Sequence, residues 1–207
     1  LTAPPGIPMF LYLLVVIVPF FMFRNTANQI MACVRGNRAL LVFPQITILD
    51  FVWSRAVLEY VTMIIVMWTL ILAMYIIGFD VAVENVFMIL VYFSLYSLLG
   101  IGMGLVLLGL NSKFPITQVI WQQSSRILYF TSGVIITADR IPVKYYDEMA
   151  WQPIFQMSEF MHTAFFPTYD SSQYFNDWFY VVCWILGLFL LGLVLQRKWL
   201  WWILQEN

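Results

Sequence analysis

The chain has 207 residues, of which 62% are hydrophobic and only 10% are charged, against roughly 45–50% and about 25% in a soluble domain. A net charge of −1 leaves no electrostatic footprint for nucleic acid. A single histidine and two cysteines leave no Cys/His cluster for a protein-built transition-metal site. The composition is that of an all-α integral membrane protein, a helical bundle in a single domain over residues 1–207.

Taken in order, the first apolar run is Pro8 to Phe23, ended by Arg24. It is slightly short for a hydrocarbon core of about 30 Å, unless the residues after Arg24 continue the helix. Pro19 is expected to kink it. The polar patch Asn25 to Gln29 then leads into a central segment, residues 35–59. This segment carries Arg35, Arg38 and Arg55, yet it is too apolar for a solvated loop, with Leu40, Leu41, Phe43, Ile46, Ile48, Phe51 and Trp53 all needing cover. The expectation is a short amphipathic element on the cytoplasmic membrane face that couples the membrane part to a cytoplasmic partner. The competing reading is an interfacial helix that only anchors the bundle. Within the segment, Arg55 and Glu59 stand at i, i+4 and are expected to pair.

The second run is Tyr60 to Phe79, and an acidic turn, Asp80 to Asn85, follows it. The third is Val86 to Leu110, with Gly100, Gly102, Gly104 and Gly109 in its second half, where small residues let another helix approach closely. The fourth, Ile116 to Ile136, contains Gln118, Gln122, Gln123, Ser124, Ser125 and Arg126. A charge at mid-bilayer costs about 2.5–3.5 kcal/mol on the lenient scale, so this helix must face protein or a wet cavity. Residues 137–177 mix acids, prolines and aromatics. Their apolar pieces are too short to span and suit external re-entrant or interfacial helices. The fifth run is Trp178 to Leu195, closed by Arg197 and Lys198.

If the five runs alternate, Arg24, Arg35, Arg38, Arg55, Lys113, Arg197 and Lys198 share one side. The other side holds Arg140 and Lys144 among eight acids, namely Asp80, Glu84, Asp139, Asp147, Glu148, Glu159, Asp170 and Asp177. The positive-inside rule then makes residues 35–59 and the C-terminus cytoplasmic, and residues 137–177 external. The first run would enter from outside, so a preceding span is expected, giving six in the full protein. No GxGxxG or GxxxxGK[ST] word occurs, so no phosphate loop is expected on this chain. No Ser/His/Asp or paired-carboxylate arrangement is placed for catalysis either, and the sequence does not read as an enzyme.

Three separated words carry a family resemblance. The first is Asn37-Arg38 to Leu41, Phe43-Pro44, Asp50, Arg55 and Leu58-Glu59. The second is Ser132-Gly133-Val134 followed by Ile141-Pro142. The third is Trp151-Gln152-Pro153, then Glu159 and Phe165-Phe166. Together they resemble the transmembrane subunits of ABC-2 type exporters, and within these the capsular polysaccharide export permeases. Gln152 stands where that family has Asn, and His162 lies near its usual Arg. The family's amphipathic N-terminal helix and first span have no counterpart here. The resemblance implies a homodimer in the bacterial inner membrane, docked on separate ATP-binding cassette subunits that hold the ATP and Mg. A lipid-linked polysaccharide passes between the halves, and a periplasmic co-polymerase or outer-membrane export protein is a further partner. O-antigen, teichoic acid or a small lipid as cargo, or a scaffold without transport, are the alternatives.

Three candidate sites follow. Phe43, Pro44, Ile46, Asp50, Arg55 and Glu59 are expected to couple to the ATPase. Trp121, Gln122, Ser125, Arg126 and Tyr129 are expected to line the translocation path, offering an aromatic surface, hydrogen-bonding groups and a cation for an anionic glycan or lipid phosphate. Arg126 is equally readable as a paired arginine that fixes helix packing. Trp151, Glu159 and His162 mark the external element, although its aromatics also suit an interfacial belt and His162 a structural role.

Overall fold

The computed structural model describes residues 8–37, 40–41, 43, 45–79, 81, 83–134, 142–166, 169 and 177–205. Among these there are seven α-helices and no strand: α1 Met9–Asn37, α2 Ile48–Ile77, α3 Val86–Lys113, α4 Ile116–Thr131, α5 Tyr146–Ala150, α6 Pro153–Phe165 and α7 Trp178–Gln205. Four of them, α1, α2, α3 and α7, are long and apolar enough to cross a membrane. The fourth apolar run forms only the 16-residue α4, about 24 Å at the helical rise, and is not among them.

Helix α1 does not end at Arg24. It runs unbroken through Pro19 and on to Asn37, the continuation that the short first run left open, so the polar patch Asn25 to Gln29 is about a turn and a half of helix. Its residues divide by face: Ala27, Ile30, Cys33 and Val34 are buried, while Arg24, Asn28 and Arg35 recur on another side. Helix α2 likewise begins twelve residues earlier than expected. The Asp50 carboxylate accepts from the Thr47 backbone N–H at 2.7 Å and from its hydroxyl at 2.8 Å, which satisfies an orphan donor at the helix start. Residues 48–59 are therefore the first turns of a span rather than a separate interfacial helix. Phe51, Val52 and Ala56 pack with Ile30, Cys33 and Val34 of α1. At the far end Gly78, at φ +98°, closes α2 with its N–H on Met74 and Tyr75 carbonyls, a backbone state that favours glycine.

The centre of the bundle is α3, which packs on α7 and α1 and is met from outside by α6. The closeness of these contacts is set by glycine. A Cβ added at Gly100 would lie 2.9 Å from the Phe23 carbonyl oxygen, and one at Gly104 would lie 2.7 Å from Ile30 Cβ. On the other flank, Gly102 and Gly109 come equally close to Leu188 and Leu195 of α7, while Gly192 of α7 lies against Leu105, where a Cβ would be 2.6 Å from the Leu105 Cβ. In lipid, helices associate by such van der Waals contact rather than by a hydrophobic drive. Helices α2 and α7 bury the smallest share of their apolar windows, as lipid-facing elements do.

The end of α4 is fixed to α6 by hydrogen bonds. Gly133 takes φ +82°, with Ser158 Cβ only 3.0 Å from where its Cβ would be. Ser158 Oγ donates to the Ser132 carbonyl at 2.5 Å and shares a 2.9 Å bond with the Tyr96 hydroxyl of α3. The Ser132-Gly133 word is thus a joint between α4, α6 and α3.

Gly192→Val is expected to lower stability by about 1–3 kcal/mol, the ordinary cost of overpacking, whereas Gly187→Ala, with no atom within 4 Å of its added Cβ, leaves the melting temperature unchanged or slightly raised. Thermal unfolding of the detergent-purified protein measures both, and equal melting temperatures for the two variants would refute glycine-set packing of α3 on α7.

Candidate functional site

A cavity of about 340 Å³ opens between α1, the end of α3 and α4. It is lined by Arg24, Asn28, Met31, Ala32 and Arg35 of α1, Asn111 of α3, and Gln118, Gln122 and Arg126 of α4. The spacings explain the convergence: positions 24, 28, 31 and 35 follow one face of α1, and 118, 122 and 126 follow one face of α4. Among the described residues no acidic one lines the cavity. Three guanidinium groups therefore meet there with four amide side chains and little else that is polar.

Of the five residues expected on this path, Gln122 and Arg126 line the cavity. The other three support its wall. Trp121 is buried and its indole N–H donates to Asn28 Oδ1 at 2.8 Å, so it orients a lining amide rather than presenting an open ring. Ser125 is buried and returns its hydroxyl to the Gln122 carbonyl at 3.0 Å. Tyr129 packs edge-on against Phe20 of α1, with centroids 5.4 Å apart. Arg24, Asn28, Arg35, Asn111 and Gln118 were not anticipated. Their signal is the polar residues spaced by three and four through 24–35, which form one stripe only when the first helix is carried past Arg24.

In the connection between α1 and α2, Phe43 is 58% exposed, and tight i→i+3 bonds, Phe43 N–H to Leu40 C=O and Ile46 N–H to Phe43 C=O, hold the chain around it. Pro44 and Arg38 lie outside the described residues. Asp50 is the cap of α2, as above. The expected Arg55–Glu59 ion pair is not formed: Glu59 is buried and Arg55 half-buried, with no N–O contact within 4.0 Å between them. On a helix already packed against α1, side-chain rotamers follow burial rather than i, i+4 pairing.

The residues expected on an external element, Trp151, Glu159 and His162, are placed by packing. Trp151 is exposed, and its carbonyl accepts from the Tyr180 hydroxyl of α7. Glu159 and His162 are fully buried on α6. The Tyr169 hydroxyl donates to Glu159 Oε2 at 2.5 Å. The His162 ring lies 4.0 Å from that of Tyr12, nearly parallel at 7°, and its Nε2 is 3.3 Å from the Tyr12 carbonyl. His162 therefore fastens α6 to α1. Residues 137–141, 167–168 and 170–176 of the expected external segment are outside the described residues. No group of three metal-ligating side chains occurs among the described residues.

Burial pushes the His162 pKa down to about 3, from an unfolded value of about 6.5. The folded state thus holds it neutral, and the unfolded state binds the extra proton first. The linked stability is complete above pH about 6.5 and declines as pH falls toward the folded value. Wild-type melting temperature is expected to drop between pH 7 and pH 5, and His162→Gln to show a flatter profile from a lower starting point. Parallel profiles would contradict a buried neutral imidazole.

A family model described as "ABC-2 type transporter" matches residues 2–166. The chain is 26% identical over 193 residues to the polysialic acid transport protein KpsM of Escherichia coli, covering 93% of this chain and 74% of that protein. It is also 26% identical over 178 residues to the capsule polysaccharide export inner-membrane protein CtrC of Neisseria meningitidis, covering 86% of this chain and 66% of CtrC. Against the capsule polysaccharide export inner-membrane protein BexB of Haemophilus influenzae the identity is 24% over 177 residues, with 86% and 66% covered.

Proposed function

This chain belongs to the ABC-2 type transporter family, and on that premise we propose that it is the transmembrane subunit of an exporter carrying capsular polysaccharide, a lipid-anchored glycan, across the bacterial inner membrane. The observation that carries the reading is the cavity between α1 and α4, a polar and basic lining inside an otherwise apolar bundle. Arginines facing lipid would be costly, so the open side of that cavity calls for water, cargo or protein. A second copy of the chain across it, as a homodimer, supplies a closed path. The names of KpsM, CtrC and BexB support a glycan as the cargo.

In this reading α4, shorter than the other four, is a fifth membrane-embedded helix. Helices α5 and α6 form an external re-entrant element, and the C-terminus is cytoplasmic. ATP and Mg belong to a separate ATP-binding cassette subunit, and the connection within residues 35–59 transmits its motion. An exposed phenylalanine held by tight turns between two helices suits a groove on such a partner. A periplasmic co-polymerase or an outer-membrane export protein would meet the external element.

Phe43→Asp tests the reading. Because Phe43 is exposed, the variant is expected to fold and insert normally while losing stimulation of the partner's ATPase and surface capsule in cells. ATPase stimulation and capsule both at wild-type level would sink the coupling assignment.

A further inference from the structure

Helix α2 packs chiefly on α1 and helix α7 on α3, so these two lipid-facing helices scarcely meet. Where the start of α2 passes the end of α7 they leave a groove of about 460 Å³. Its walls are Ile48 and Leu49 of α2 and Leu193 of α7, with Thr47, Gln196 and Arg197 toward the end of the bundle. The neighbours of the groove give its depth. The apolar span of α7 ends at Trp199, where φ −113° and ψ 17° break the helix. Lys113, at the end of α3, holds its ammonium 5.3 Å from the centres of both the Phe114 and the Trp199 rings. Tryptophan is enriched at the level of the lipid head groups, and Arg197, two residues before Trp199, is exposed, as is Lys198. Arg197 therefore stands at head-group level, with an apolar groove running from it toward the hydrocarbon. Asp50, next to Leu49, has its carboxylate turned to the Thr47 N–H and hydroxyl at 2.7 and 2.8 Å.

We propose that this groove binds one bilayer phospholipid with an anionic head group, its phosphate on Arg197 and an acyl chain along Leu193, Ile48 and Leu49. Guanidinium forks match phosphate oxygens, and basic residues at a cytoplasmic membrane surface draw anionic lipid. Charge complementarity selects the head: a zwitterionic lipid brings an ammonium toward Arg197 and Lys198 together with its phosphate, whereas an anionic one brings only negative charge. The bound lipid fills the gap between α2 and α7. It thereby braces them at the end of the bundle where the connection exposes Phe43. That this leaflet is the cytoplasmic one rests on the orientation proposed above, and the site itself does not.

The test is thermal stabilisation of the detergent-purified full-length protein, alone and with its ATP-binding subunit, titrated with dioleoyl phosphatidylglycerol or dioleoyl phosphatidylcholine. Saturable stabilisation by phosphatidylglycerol at lower concentration than by phosphatidylcholine supports the site. Arg197→Gln is expected to raise the half-maximal concentration of phosphatidylglycerol by about tenfold, the loss of one charged hydrogen-bonding partner, and to leave the phosphatidylcholine response unchanged. Leu193→Trp, which fills the groove, is expected to abolish the saturable response. Arg197→Lys, which keeps the charge and loses the fork, serves with a smaller rise if Arg197→Gln does not fold. An equal response to the two lipids or an unchanged half-maximal concentration in the Arg197 variants overturns the site. Stabilisation that vanishes once the ATP-binding subunit is bound overturns it in favour of that subunit as the occupant. The transport reading fails separately: Arg197-dependent lipid binding in a protein whose deletion leaves surface capsule intact would remove the exporter and leave the site.

Discussion

Close approach of α3 to its two neighbours is the constraint on which the rest of the bundle depends. Inside a bilayer there is no gain from hiding apolar surface from apolar lipid, so cohesion comes from atom-to-atom contact and the few polar links available. Gly100 and Gly104 bring α3 onto the backbone of α1, and Gly102 and Gly109, with Gly192, bring it onto α7. With those distances set, Asn111 reaches the wall formed by α1 and α4, and Tyr96 reaches Ser158 at 2.9 Å. Looser packing of α3 would separate both groups of residues, so the polar cavity is a consequence of the tight apolar contact beside it.

The same packing explains why so polar a cavity is tolerated. Arg24 and Arg35 lie on a helix whose other face is buried against α2 and α3, and Arg126 lies on a short helix tied at its end by Ser132 and Gly133. Each cation is carried by an element held from behind. Rotating α1 to hide its arginines would expose Ile30, Cys33 and Val34 and bring Gly100 and Gly104 out of contact, so the helix cannot relieve the charge by turning. The arginines stay turned toward the cavity instead.

Four long apolar helices were legible because an apolar run of about 20 residues has few other physical outcomes. The boundaries were not. Continuation past Arg24 was left open and a boundary was set at Glu59, yet both helices continue, because polar residues spaced by three and four fall on one face and leave the rest of the helix apolar. The Thr47–Asp50 cap marks the true start of α2 and was readable as a local signal, but Asp50 had been set aside for coupling. The pairing of Trp121 with Asn28 joins residues 93 apart, and the stacking of His162 on Tyr12 joins residues 150 apart. Neither leaves a trace in local spacing. Gln122 and Arg126 were legible for the opposite reason, since a cation and amides inside an apolar run must face something other than lipid wherever the chain folds.

Helix α1 is shared by every feature that bears on function. Near its start Tyr12 holds α6 through His162, along its middle Arg24 and Asn28 line the cavity, and near its end Cys33 and Val34 pack on the first turns of α2. Between that end and α2 lies the connection that exposes Phe43. On the coupling role proposed for Phe43, a force applied there has two helices through which to act, and α1 is the one that carries cavity residues. An α-helix transmits axial displacement with little loss because its hydrogen bonds run along its axis, so a shift at residue 37 arrives at Arg35 within a turn and at Tyr12 at the other end. The stacked Tyr12–His162 pair joins that other end to α6. On that proposed role, coupling of the two ends needs no relay of side chains, only the unbroken helix α1 between them.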